Sequence, residues 1–220
     1  MDTIKDIIAK ISIQDYSVKR ISYAPYKFHM ALEVWKEIGK TLIPDFEMNE
    51  ENDWLYSQLI RYVHADQNYP KDLSKGIAII GTTGLGKTKA MEIMSLYSEI
   101  DQVRYIKDGK QVLLKFKIYN SREIVDAYAK NGFDGIQKYC SFINLCIDDL
   151  GTENMNANHY GTKLNVIEEI IEERYRKQLL THITSNLTEY DILDTYGDRV
   201  YSRLKSMVNY HTLTGKDFRK

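Results

Sequence analysis

The sequence has few cysteines and no long hydrophobic run. The two cysteines, Cys140 and Cys146, are too few and too close together to predict a disulfide framework or a zinc site. No apolar run approaches the ~20 residues that a membrane-spanning helix needs. The charged residues Asp2 and Lys5 argue against a secretory signal, so we expect a cytoplasmic protein.

An excess of charge of one sign is also missing. The formal net charge is −1, so the chain has no overall basic field that would attract nucleic acid. Any contact with nucleic acid must therefore come from a local patch or from oligomerisation. The chain has 220 residues, of which 43% are hydrophobic and 28% are charged. This composition fits one globular core with room for a small appendage.

Proline is scarce, and its positions divide the chain. All 3 prolines precede residue 71. Between them, helices are predicted near residues 26–40 and 50–64. We therefore interpret residues 1–70 as a small helical N-terminal region and residues 71–220 as the main domain.

From residue 75 onward, strand patterns alternate with helix patterns. The predicted strands are 76–80, 112–119, 142–148, 179–184 and 209–214. The predicted helices are 87–99, 121–131, 133–140, 162–178 and 188–207. Such alternation predicts the α/β fold class, with a parallel sheet sandwiched by helices.

Between the first predicted strand and helix of this domain lies a complete G-x-x-x-x-G-K-[ST] motif. In that context the motif predicts a loop that binds nucleotide phosphates through backbone N–H groups and a helix N-terminus. Lys87 is predicted to reach the β- and γ-phosphates, and the Thr88 hydroxyl to bind Mg²⁺. The predicted nucleotide-binding residues are Gly81, Thr82, Thr83, Gly84, Leu85, Gly86, Lys87 and Thr88.

Two adjacent carboxylates, Asp148 and Asp149, end a hydrophobic strand pattern. Ligands of open α/β sheets bind at the carboxyl ends of the strands. Asp148 is predicted to hold Mg²⁺ together with Thr88, and Asp149 to orient or deprotonate the attacking water. The alternative is a solvated Asp-Asp turn, but the upstream phosphate loop favours the metal site.

Further candidate residues follow along the chain. Asn186 ends the next predicted strand, where an amide can contact a γ-phosphate and hold the water; a plain turn residue is the alternative. Arg199 and Arg203 are four residues apart and share one helical face. One of them could reach the γ-phosphate of a neighbouring subunit as an arginine finger. The alternative is an exposed helix with pairs of Asp and Arg.

A basic stretch surrounds a predicted hairpin turn at Asp108-Gly109. In the strand after it, Lys115, Lys117 and Tyr119 share one face. Cations beside an aromatic side chain suit a surface for single-stranded DNA. The alternative is an edge strand whose lysines prevent aggregation.

Together these motifs resemble the AAA+ ATPases of the bacterial replicative-helicase loader family, the DnaC/DnaI group with its relative IstB. The resemblance covers roughly residues 70–220. The segments that carry it are Gly-Thr-Thr-Gly-Leu-Gly-Lys-Thr, Cys-Ile-Asp-Asp-Leu-Gly-Thr-Glu, Ile-Thr-Ser-Asn-Leu-Thr and Tyr-Gly-Asp-Arg-Val-Tyr-Ser-Arg-Leu.

The resemblance implies a RecA-like P-loop NTPase core with an extra helix pair at 121–140, and ATP with Mg²⁺. It also implies slow ATP hydrolysis stimulated by oligomerisation or a partner, a DnaB-type replicative helicase as that partner, and contact with single-stranded DNA. Arg203 stands where the family has its arginine finger, and Arg219 is the candidate for a second sensor. Residues 1–70 are the candidate docking region for the helicase.

Two features depart from the common family pattern. Asp148-Asp149 stands where many members carry Asp-Glu, and no cysteine-rich module of the DnaI type precedes the predicted core. The stretch His159-Tyr160-Gly161 before a Glu-rich helix resembles loaders of phages and mobile elements. An IstB-like transposase helper is the same-fold alternative. A small-molecule P-loop kinase is the alternative of another class, and a nucleotide-gated adaptor with negligible turnover is a further one.

Overall fold

The computed structural model describes residues 18–20 and 26–215. In these residues the helices are α1 (Phe28–Leu42), α2 (Asp53–Val63), α3 (Lys87–Ile100), α4 (Ser121–Ile136), α5 (Val166–Arg176) and α6 (Glu189–Met207). The strands are β1 (Val18–Arg20), β2 (Gly76–Ile80), β3 (Arg104–Lys107), β4 (Lys110–Leu113), β5 (Lys117–Asn120), β6 (Asn144–Leu150), β7 (Ala157–His159), β8 (Thr162–Leu164), β9 (Leu180–Ser185) and β10 (Val208–Thr212). Within the described ranges, no helix is long and apolar enough to cross a membrane.

The centre of the molecule is a parallel sheet of five strands in the order β10-β2-β9-β6-β5. Successive residues of β2 face opposite sides, as the two-residue period of a strand requires. Ile77 and Ile79 belong to a hydrophobic cluster with α1, α2 and α3. Ala78 and Ile80 belong to a second cluster with α4, α5 and α6. The predicted sheet with helices on both faces is confirmed.

The helices α1 and α2 pack against the same side of the sheet as α3. Trp35 in α1 is fully buried, and its ring lies 5.4 Å from that of Tyr97 in α3. Leu59 in α2 is also fully buried in this cluster. The two helices predicted before residue 70 are therefore present, two or three residues later than expected at their starts. The boundary between residues 70 and 71 stays a prediction.

The predicted strand 112–119 is wrong, because the chain forms two strands there. The turn at Asp108 and Gly109, with φ of 50° and 72°, joins β3 and β4 as the predicted hairpin. These strands form an antiparallel sheet with β1, whereas β5 is the edge strand of the parallel sheet. Leu114 and Phe116, in the segment that connects β4 to β5, are both buried. The alternation of buried and exposed residues therefore continues between the two strands, and the sequence pattern does not show where β4 ends.

Three helices also differ from their predicted form. The break predicted between helices 121–131 and 133–140 is confirmed, because the backbone of Gly132 inside α4 is not helical (φ 61°, ψ −145°), but the second helix ends at Ile136 rather than at residue 140. The predicted start at residue 162 is wrong, because 162–164 form β8, which pairs with β7 as a hairpin. α5 starts after Asn165, whose side chain accepts a hydrogen bond from the backbone N–H of Glu168. α6 is kinked at Gly197.

Candidate functional site: the carboxyl edge of the parallel sheet

The predicted phosphate-binding loop connects β2 to α3 at the carboxyl edge of the sheet. Gly81 is required for space, because a Cβ there would collide with the carbonyl oxygen of Leu213 beyond β10. Gly84 and Gly86 adopt φ of 85° and 79°, a region that glycine enters without steric cost. Gly86 is the N-cap of α3, so the first N–H groups of the helix point into the loop. The predicted strand–loop–helix is confirmed.

Lys87 folds back over this loop. Its side chain is buried, and its ammonium donates hydrogen bonds to the carbonyl oxygens of Gly81 and Thr82, both at 2.8 Å. It also donates to Oδ1 of Asn186, at the end of β9, at 2.7 Å. The site therefore holds a buried ammonium that donates to neutral oxygen atoms, and it would bind the charged oxygens of a phosphate more strongly.

Asp148 lies near the end of β6, and only 7% of it is exposed. Its Oδ1 accepts hydrogen bonds from the hydroxyls of Thr88 at 2.8 Å and Thr184 at 2.6 Å. Burial raises the pKa of the Asp148 carboxyl above its usual value, although these two hydrogen bonds lower it. A carboxylate and a hydroxyl within one hydrogen bond of each other fit the oxygen ligands of Mg²⁺.

Asp149 has an unusual backbone, with φ of 54°. Its N–H donates to the hydroxyl of Thr184 at 2.9 Å, and its Oδ2 faces Nδ2 of Asn120 at 3.4 Å. The pairing of β6 with β9 shifts register between Ile147 and Leu150, which gives Asp149 room for this conformation. A positive φ at a residue other than glycine is uncommon and often marks a functional position.

Sequence reasoning missed Thr184 and Asn120 as members of the site. Asn120 is also the N-cap of α4, where its Oδ1 accepts a hydrogen bond from the N–H of Arg122 at 3.0 Å. Both residues lie at the carboxyl ends of the strands that flank β6, namely β9 and β5. A search for polar residues at the carboxyl end of every predicted strand would have identified both residues as candidates.

Arg203 takes part in a separate group of charges between α5 and α6. The guanidinium of Arg203 donates to Glu172 and lies 5.6 Å from the centre of the Tyr175 ring. The guanidinium of Arg199 donates to the same Glu172 at 2.6 Å. The two arginines therefore share one helical face, as predicted. Arg176, four residues after Glu172 on α5, bonds Glu173 instead. Arg219 lies outside the described residues.

The chain matches no protein-family model, and no curated protein matches its sequence. Its structure is similar to a putative primosome component from Streptococcus pyogenes serotype M3, at 20% identity and a TM-score of 0.57, over 80% of this chain and 87% of that chain. It is similar to DnaI at 18% identity and a TM-score of 0.57, over 84% and 93% of the two chains. It is similar to the DnaC helicase loader at 18% identity and a TM-score of 0.55, over 79% and 96%.

Similarity at such low identity establishes the fold alone. The three matches extend over 79–84% of this chain and over 87–96% of the solved structures. This chain therefore has the P-loop AAA+ fold, which it shares with DnaI and the DnaC helicase loader.

Proposed function

We propose that this protein is an ATP-dependent DNA replication protein that places or regulates a replicative helicase on single-stranded DNA. The observation that carries the proposal is a pair of hydrogen bonds at one edge of the sheet, from Lys87 to Asn186 at 2.7 Å and from Thr88 to Asp148 at 2.8 Å. These are the groups that binding of a nucleoside triphosphate with Mg²⁺ requires.

The chain's own residues divide the work of ATP binding. Residues 81–88 surround the phosphates, and Lys87 exchanges its carbonyl acceptors for phosphate oxygens. Thr88 and Asp148 would hold Mg²⁺, which supplies positive charge to the phosphates when bound. The hydrogen bond between Thr88 and Asp148 already brings these two oxygens together.

Hydrolysis requires a positioned water in addition to a bound nucleotide. Asp149 accepts the proton of that water or orients it, and Asn186 holds it against the γ-phosphate. The position of Asn186 supports this role, because its amide oxygen already lies 2.7 Å from the ammonium of Lys87. ATP turnover is therefore the expected enzymatic activity.

Arg203 acts on the site of a neighbouring subunit in a homo-oligomer that assembles with ATP. The support is its position on α6, where it is bonded to Glu172 and takes no part in the hydrogen bond of Lys87 with Asn186 or in that of Thr88 with Asp148. An arginine that completes a neighbour's site makes turnover depend on assembly.

The helicase is favoured as the partner by similarity in fold to the DnaC helicase loader. Residues 1–70 are the proposed docking region, and single-stranded DNA is the proposed second partner. A transposase helper shares the fold and is the competing function. A kinase would use the same phosphate site with a small-molecule acceptor and no arginine from a neighbour.

A pull-down from host extract tests the partner directly, with tagged protein, with and without ATP, and Lys87→Ala protein as the control. Recovery of a replicative helicase that depends on ATP and on Lys87 supports the proposal. Recovery of a transposase, or of neither partner together with ATP-dependent phosphorylation of a small molecule, contradicts it.

A further inference from the structure

The chain holds one exposed tryptophan, at the start of α2 and beside β10. Trp54, in the first turn of α2, is 40% exposed, whereas Trp35, the other tryptophan, is fully buried. A large apolar ring left in water forgoes stabilisation that burial would provide. Packing within the described residues therefore covers Trp54 only in part.

The orientation of a bound triphosphate indicates where its nucleoside lies. The γ-phosphate end is proposed to lie against Asp149 and Asn186, at the ends of β6 and β9. In the sheet, β9 is on one side of β2 and β10 is on the other. A linear triphosphate over the loop after β2 therefore directs its nucleoside towards the end of β10.

The segment before α2 lies at that end of the sheet. Leu213, just beyond β10, donates to the carbonyl oxygen of Ile80 at 2.7 Å and approaches Gly81. A Cβ on Gly215 would lie 2.9 Å from the carboxylate of Glu51 and 3.7 Å from Leu85 of the loop. Glu51 is three residues before Trp54, so this segment borders the phosphate-binding loop.

Hydrogen bonds hold the segment in place. Oδ1 of Asn52 accepts from the N–H of Asn49 at 2.9 Å, and its amide donates to the carbonyl oxygen of Glu47 at 3.0 Å. The Trp54 ring lies 6.1 Å from the ring of His211 in β10. Because the segment is anchored, Trp54 needs little ordering on binding, and a pre-ordered contact costs less free energy.

We propose that Trp54 stacks on the base of the nucleotide and forms the base-binding wall of the site. The inference rests on the proposed nucleotide site and adds a residue that recognises the nucleoside rather than the phosphates. Every base presents a flat face to an aromatic ring, so stacking contributes to affinity for the whole nucleotide and not for its triphosphate part.

The test compares ATP with inorganic tripolyphosphate, both with Mg²⁺. Trp54→Ala should weaken ATP binding roughly tenfold by calorimetry, because the base loses its stacking partner, and leave tripolyphosphate binding unchanged. Trp54→Phe should retain most of the ATP affinity. Tyr160→Ala, which removes a 98% exposed ring from the β7–β8 turn, is the matched control and should bind ATP like the wild type.

Fluorescence gives a second readout on the same proteins. ATP should change the tryptophan emission of the wild type, and the change should be lost in Trp54→Phe, which keeps only Trp35. Equal ATP affinity in Trp54→Ala and wild type, or an equal emission change with tripolyphosphate, overturns the base-stacking role and leaves the nucleotide site standing. Failure of the wild type to bind either ligand overturns the site itself, and this inference with it.

Discussion

The carboxyl edge of the sheet and the arginine group on α6 satisfy their charges in different ways. At the edge, the Lys87 ammonium donates to carbonyl and amide oxygens, and the Asp148 carboxylate accepts from two threonine hydroxyls. Between α5 and α6, Arg199 and Arg203 share a single carboxylate, that of Glu172. The edge is prepared for a charged ligand, whereas the arginine group carries one more cation than its carboxylate can neutralise.

This difference indicates which functions one chain performs alone. The edge brings its groups within hydrogen-bonding distance without any partner, so nucleotide binding should belong to the single subunit. The arginine group makes none of those contacts, so its effect on turnover should appear only when subunits meet. Predictions that separate binding from turnover therefore test the comparison.

The largest expected effect is that of Lys87→Ala on ATP binding. Removal of the buried ammonium should weaken ATP affinity by about 3 kcal/mol, or roughly a hundredfold, and abolish measurable turnover. Calorimetric titration measures the affinity. Lys89→Ala is the matched control, because Lys89 lies on the same helix, is partly exposed and pairs with Glu92 at 2.7 Å. Equal affinity in the two variants would contradict the assignment of the loop.

Arg203→Ala should lower turnover roughly a thousandfold at protein concentrations that allow assembly, with ATP affinity unchanged. The wild type should gain specific activity as its concentration rises, and the variant should not. Arg199→Ala is the control, since Arg199 shares Glu172 but is the more exposed of the two. Specific activity that does not depend on protein concentration would contradict a role of Arg203 in the site of a neighbouring subunit.

Asp149→Asn should lower turnover about a hundredfold and leave ATP and Mg²⁺ binding intact, because the lost function concerns the water. Asp148→Asn should instead weaken the Mg²⁺-dependent part of ATP binding. Steady-state kinetics and calorimetry on both variants measure the two effects. Identical behaviour of the two variants would contradict the proposed division between them.

The raised pKa of Asp148 predicts two effects of pH and charge. A carboxyl whose pKa is higher in the folded state stabilises the fold at pH below its ordinary pKa, and this stability is lost as pH rises through the raised value. At neutral pH the buried carboxylate therefore costs stability, and Asp148→Asn should raise the Tm of the nucleotide-free protein by about 2–4 °C per kcal/mol gained.

The second effect concerns the metal. Because Mg²⁺ binds the carboxylate form, its contribution to ATP affinity should weaken on acidification at a higher pH than an exposed aspartate would give. Calorimetry across a pH series measures this dependence. A Tm that falls in Asp148→Asn, or a Mg²⁺ effect that does not change between neutral and acidic pH, would contradict the account.

The smallest effect is expected on single-stranded DNA. Lys115 pairs with Glu99 at 2.6 Å, and Lys117 lies 5.0 Å from the centre of the Phe142 ring. Reversal of both charges to Glu should weaken ATP-dependent DNA binding and reduce its salt slope by about 2. Reversal of Lys36 and Lys40 on α1 is the control with the same charge change. Unaltered DNA binding at low salt would contradict this prediction and support the alternative, in which the lysines protect an edge strand from aggregation.

Sequence reasoning succeeded where a feature is local. The strand at 76–80 was predicted with its observed bounds, because an unbroken run of buried residues is followed directly by the glycine of the motif. The order of Gly84, Gly86, Lys87 and Thr88 likewise determines the loop, since the conformation depends on neighbours along the chain. The carboxylates at the end of β6 followed from the same logic.

Sequence reasoning failed where contacts between distant segments of the chain determine the partner of a side chain. The spacing of Glu172 and Arg176 favours an ion pair along α5, but Glu172 accepts hydrogen bonds from the arginines of α6 instead. Thr184 joins Asp148 and the backbone of Asp149 only because β6 and β9 pair with a shift of register. Neither a cross-helix ion pair nor such a shift leaves a periodic signal in the sequence.

The most direct test of the central claim is a calorimetric titration of ATP into the wild-type protein, with Mg²⁺ and with Mg²⁺ chelated. The carboxyl edge predicts one ATP per chain, bound more tightly with Mg²⁺ than without it, and a loss of this difference in Asp148→Asn. No binding of ATP, or binding that Mg²⁺ does not strengthen, would contradict the claim that this edge is an ATP–Mg²⁺ site.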